Sequence, residues 1–118
     1  MSLLVDLFDP EQGPYAYLNA LEDDAAGFEV YRTQVWSAQP LTARGARFLP
    51  QLSDADLFVY PDQLDAFERE CTMIRSQAPH IAAELSGGPT DASLQAYMAR
   101  FLQAIALARA RGAGVCIT

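Results

Sequence analysis

The chain has 118 residues, 51% of them apolar, which suits one globular domain and leaves no room for two. Its formal net charge is −7 and all eight cations are arginines, which argues against nucleic acid as the direct partner, because phosphate binding relies on clustered Lys and Arg. No run of roughly 18 apolar residues occurs and the N-terminus has no basic region followed by a hydrophobic one, so neither a membrane span nor a signal peptide is expected, and the cytoplasm is the default.

The charge is unevenly placed. From Met1 to Tyr31 there are seven acids (Asp6, Asp9, Glu11, Glu22, Asp23, Asp24, Glu29) and no base, whereas the rest of the chain balances eight acids against eight arginines. Within this first segment, Leu3-Leu4-Val5-Asp6-Leu7-Phe8 is apolar enough to dock on a core, as a short strand or a helical turn. Asp9-Pro10-Glu11-Gln12-Gly13-Pro14 reads as a turn-rich loop. It resembles the start of a calcium loop but lacks the later bidentate glutamate, and its prolines stiffen it. Tyr15 to Leu21 is expected to form a short helix with Tyr17, Leu18 and Leu21 inward, ending in Glu22-Asp23-Asp24.

Phe28 to Ser37 mixes β-favouring residues with helical spacing of Phe28, Tyr31, Val35 and Trp36, and a helix is preferred. Pro40 interrupts, and Leu41 to Leu49 is expected to form another short helix containing Gly45. Asp56 to Tyr60 and Gly114 to Thr118 read as short strands placed to pair with one another.

Between them lies the strongest pattern in the chain, two helical stretches from Asp62 to Leu85 and from Thr90 to Arg111, joined by Ser86-Gly87-Gly88-Pro89. Leu64, Phe67, Cys71, Ile74, Ala78, Ile81 and Leu85 make one apolar stripe, with Gln63, Asp65, Glu68, Glu70 and Glu84 on the opposite face or its edges. Asp62 is the expected N-cap, and Pro79 predicts a kink or a restart. Leu94, Met98, Phe101, Ile105 and Ala108 form the second stripe, capped by Thr90 or Asp91 and stopped by Gly112. The short connector makes the two stretches antiparallel. The expected fold is mainly α, a helical bundle built on a C-terminal antiparallel helix pair with a minor short β element, in a single domain over residues 1–118.

Catalytic chemistry finds few footholds. His80 is the only histidine. With Glu84 four residues on, it offers two metal ligands and no obvious third, so no metal is expected. Cys71 sits on the core stripe and no Gly-x-Ser-x-Gly elbow exists, which leaves no activated nucleophile. The glycine-rich connector lacks a Walker lysine and reads as a turn. Cys71 and Cys116 form no Cys-x-x-Cys motif and are expected to be reduced, mostly buried thiols. Paired carboxylates need a pocket that pushes their pKa values apart. The expectation is therefore a protein that is not an enzyme and carries no cofactor.

Recognition suits the first third better. Its acids are interleaved with Phe8, Tyr15, Tyr17, Phe28 and Tyr31. Glu22, Asp23, Asp24, Glu29, Tyr15 and Tyr17 form the candidate partner-binding set, the rings supplying desolvated area and the carboxylates steering a basic partner. The competing reading is that the rings complete a small core.

The runs Phe28-Glu29-Val30-Tyr31-Arg32-Thr33-Gln34-Val35-Trp36-Ser37, Gly45-Ala46-Arg47-Phe48-Leu49-Pro50, Leu64-Asp65-Ala66-Phe67-Glu68 and Ala108-Arg109-Ala110-Arg111-Gly112-Ala113-Gly114-Val115 resemble a family of small acidic bacterial proteins. In size and style these are similar to immunity proteins of polymorphic toxin systems. The resemblance spans Phe28 to Thr118 and assigns a role to no individual residue. It implies an inhibitor that occludes the active site or substrate groove of a basic toxin domain. The alternative is a self-associating structural or regulatory protein, a homodimer formed through the exposed side of the helix pair.

Overall fold

The computed structural model describes residues 2–118; Met1, the first residue of the acidic segment, lies outside them. Ser2–Phe8 forms strand β1, with Leu3, Val5 and Leu7 fully buried on one side and Leu4 exposed on the other, the alternation of a strand covered on one face. With β2 (Ala25–Phe28), β3 (Leu57–Val59) and β4 (Gly114–Ile117) it makes one antiparallel sheet in the order β2-β1-β4-β3. The register aligns Val5 with Ile117 and Leu57, and Leu7 with Val115 and Val59, giving two apolar rows under the helices. Asp6, Cys116 and Phe58 form a row on the opposite, outer face.

About half of the chain is helical, in keeping with a mainly α reading, but the expected minor β element is a full four-stranded sheet. The strands flanking the helices do pair, and β1 sits between β4 and β2 at the centre. Its partners come from other parts of the chain, so no local signal places β1 at the centre of the sheet.

Short elements of the first half depart from expectation for identifiable reasons. Tyr15 to Leu21 is irregular, because its amides are committed elsewhere. Leu18 N–H donates to Leu7 O, and Asn19 and Ala20 N–H donate to the Asp6 carboxylate, so they cannot close helical hydrogen bonds. The Phe28 to Ser37 stretch divides into the end of β2 and a separate helical turn, Arg32–Trp36, which buries Val35 and Trp36. Pro40 begins helix α1 (Gln39–Thr42) instead of interrupting one, since a proline ring costs nothing in the first helical turn. Gly45, at φ +94°, then ends that segment, and Leu49–Ser53 forms a 3-10 turn.

The helical half follows its pattern closely. The first stretch comprises α2 (Leu64–Ser76) and α3 (Ala78–Glu84), restarted at Pro79, and the second is α4 (Asp91–Arg111). Every residue of both stripes is buried. Thr90 Oγ1 accepts from Ser93 N–H at 3.1 Å, and Gly112 takes the left-handed cap at φ 64°. Arg109, at the end of α4, meets Asp65 and Glu68 near the start of α2, which makes the two antiparallel.

Two details differ. Asp62 lies within a 3-10 turn (Pro61–Gln63) and caps nothing, as the Gln63 side chain accepts from Tyr60 N–H at 3.0 Å instead. Glu70, expected on the polar side of its helix, is only 8% exposed. Among the described residues no helix is long and apolar enough to cross a membrane.

Candidate functional site

The outer face of the sheet carries the most unusual surface of the molecule. Phe8 and Gly114 are register partners, and a Cβ on Gly114 would lie 2.5 Å from the Phe8 ring and 2.6 Å from Val59 O. The bare glycine therefore lets the Phe8 ring spread across β4 toward β3. There it meets Phe58 edge-on at 5.6 Å and Tyr60 at 5.1 Å. Tyr15 reaches Phe58 at 5.3 Å and Tyr17 at 6.3 Å, so five rings form one connected patch.

The segment carrying these tyrosines is pinned by two contacts. A bridge pairs Tyr17 with Phe8. The Asp6 carboxylate accepts from Leu7 N–H at 2.7 Å, Asn19 N–H at 3.2 Å and Ala20 N–H at 3.3 Å. Asp6 is thus a structural clamp. Tyr15 remains 68% exposed and Tyr17 41%, joined by exposed Leu4 and Tyr60. Phe8 is fully buried at the base of the patch, while Tyr15, Tyr17 and Tyr60 stay accessible at its surface.

The six candidate residues divide by environment. Tyr15, Tyr17 and Asp24 belong to this surface; Tyr17 and Asp24 line a recess of about 120 Å3 with Leu4, Asp6, Asn19 and Thr118. Glu22 is exposed and stands in no ion pair among the described residues. Asp23 is tied 2.7 Å from Arg100, whose guanidinium also donates to Ala25 O and so covers the free edge of β2. Glu29 pairs with Arg32 at 2.5 Å, and Arg32 continues to Asp56 at 2.6 Å and to Leu52 O and Ala55 O. Charge at Asp23 and Glu29 is therefore already countered inside the molecule.

Leu4, Phe58 and Tyr60 were missed by sequence reasoning. The signal for Leu4 was present, since strict alternation from Leu3 to Leu7 exposes it once β1 is a strand. For Phe58 and Tyr60 only the pairing with β4 reveals the face.

Cys116, in the middle of this face, is buried and donates weakly to Asp6 O at 3.6 Å. Burial, reinforced by the nearby Asp6 charge, pushes its thiol up to about 12. Cys71 is likewise raised well above the ordinary value, first by burial and then by Glu70. Neither is an activated nucleophile.

Another recess, of about 420 Å3, is bordered by Asp9, Glu11 and Arg111. Asp9 Oδ1 accepts from Glu11 N–H at 3.0 Å, a turn-making bond, and Glu11 is exposed. His80 is exposed, and its neighbour Glu84 is held by Arg44 at 2.6 Å, which keeps that carboxylate below its usual range. Among the described residues no group of three His, Cys, Asp or Glu is placed to hold a metal. What the geometry offers is an aromatic surface with carboxylates beside it. No family model, no curated protein and no solved structure matches the chain.

Proposed function

We propose that this is a cytoplasmic, non-catalytic binding protein, an immunity-type inhibitor that neutralises a cognate toxin by direct association. The supporting observation is the outer sheet face, where exposed Tyr15, Tyr17, Tyr60 and Leu4 lie on the same surface as Asp24, which stands in no ion pair among the described residues. Anchored rings lose little conformational freedom on binding, and amphipathic tyrosines are frequent hot spots. Asp9, Glu11, Glu22 and Asp24 stand in no ion pair among the described residues and supply the field that draws in a basic surface.

Homodimerisation through the helix pair draws no comparable support. The large exposed apolar side chains, Leu4, Tyr15, Tyr17, Leu18, Phe28, Val30 and Tyr60, all lie outside α2, α3 and α4.

The test is co-expression with the product of the neighbouring reading frame. An isolable complex and relief of that product's toxicity are expected. Tyr15→Ala should then speed dissociation, whereas the pair Glu22→Lys and Asp24→Lys should slow association and weaken its dependence on salt. Failure to form a complex, or unchanged kinetics in both variants, would remove this face from consideration.

A further inference from the structure

A second candidate site shares no residue with the outer sheet face. An open recess of about 260 Å3, where the turn after α1 meets α2, is lined by Arg44, Arg47, Phe48, Arg69, Glu70 and Met73, among others. Three of the eight arginines of an acidic protein border this one recess.

Most other arginines have a folding role. Arg32, Arg100 and Arg109 each hold a carboxylate. Arg75 and Arg111 lie in the last turns of α2 and α4, where the helix dipole favours a cation. Arg44 is fixed by Glu84 and by Pro40 O. Arg47 and Arg69 are exposed, stand in no ion pair among the described residues, and sit at no helix C-terminus. Asp65, one helical turn before Arg69, is committed to Arg109. Both oxygens of Glu70 are occupied by the backbone amides of Arg47, Phe48 and Leu49, which offset its charge. Folding thus leaves two guanidinium groups unassigned at a recess that Phe48 and Met73 also line.

We propose that this recess binds a small organic anion, a phosphate or carboxylate on a short apolar or aromatic stem, with Arg47 and Arg69 on the anion and Phe48 and Met73 on the stem. Guanidinium forks suit both anions, and the stem replaces water on the apolar walls. The site works independently of any protein partner on the outer face.

Nuclear magnetic resonance titration of the full chain, labelled with nitrogen-15, tests it with phenyl phosphate and inorganic phosphate as probes. Saturable shifts at Arg47, Phe48 and Arg69 are expected, with phenyl phosphate bound several-fold more tightly. Arg47→Ala and Arg69→Ala should each weaken binding roughly tenfold without changing the melting temperature, and Arg75→Ala should leave the binding unchanged. The proposal is overturned by shifts that never saturate, by shifts equally large at Arg75 and Arg111, or by wild-type binding in the double variant. A lowered melting temperature in either single variant would make that arginine structural, and equal affinity for the two probes would overturn the role of the stem.

Discussion

At the scale of single residues, Glu70 is the side chain with most at stake. Its carboxylate collects three backbone amides at the entry to the Leu49–Ser53 turn while 8% exposed, so it joins α2 to the segment before β3. Glu70→Ala strands those donors, and a loss of about 2–4 kcal/mol in urea unfolding is expected from charge-assisted bonds of this kind. Glu70→Gln, which keeps an acceptor oxygen, should cost less; equal losses would point to packing instead. The thiols make a second prediction. Because the folded pKa of Cys116 lies near 12 and its ordinary value is 9.0, the unfolded chain releases its proton first as pH rises. The stability linked to Cys116 is therefore complete below about pH 9 and is lost as pH rises from there through about 12. Cys116→Ala should flatten the alkaline limb of melting temperature against pH. Native protein should also resist iodoacetamide at about pH 8 and react once unfolded.

At the scale of elements, the sheet depends on one glycine and one aspartate. Gly114→Ala would press a methyl group against Val59 O, a backbone atom that cannot rotate away, and should cost about 1–3 kcal/mol in denaturant unfolding. Asp6 fixes the tyrosine-bearing segment by its amides at Asn19 and Ala20. In Asp6→Ala, chymotrypsin should cut after Tyr15 or Tyr17 roughly 5- to 30-fold faster, as expected if one or two kcal/mol of local protection is lost. Unchanged cleavage would mean that the bridge from Tyr17 to Phe8 holds the segment alone.

At the scale of the whole molecule, the helices and the sheet share one core, and the acidic first third is built into it through β1 and β2. Ile74→Asp or Phe101→Asp places a charge among fully buried side chains and should abolish the cooperative transition seen by circular dichroism. Glu68 and Glu84 are held below the usual carboxylate range by their hydrogen bonds to Arg109 and Arg44. Their contribution to stability is present above the ordinary value of 4.5 and lost as pH falls through the lowered one, so the melting temperature should drop on acidification.

The residue pattern by itself determined most of the helical half: both stripes, a kink or restart at Pro79, a cap at Thr90 or Asp91, the Gly112 stop and the antiparallel pairing. Those features depend on interactions three or four residues apart and are written locally. The concentration of acid in the first third was equally legible, since charge is additive along a chain. Only the tertiary structure decided that β1 lies at the centre of a sheet, that Glu70 turns inward, and that Tyr15 and Tyr17 join Phe58 and Tyr60 on an outer face. The reason is distance along the chain. Phe8, Phe58 and Gly114 lie at separate points of the sequence, and only strand pairing brings them together, so the surface proposed to meet a partner has no contiguous signature.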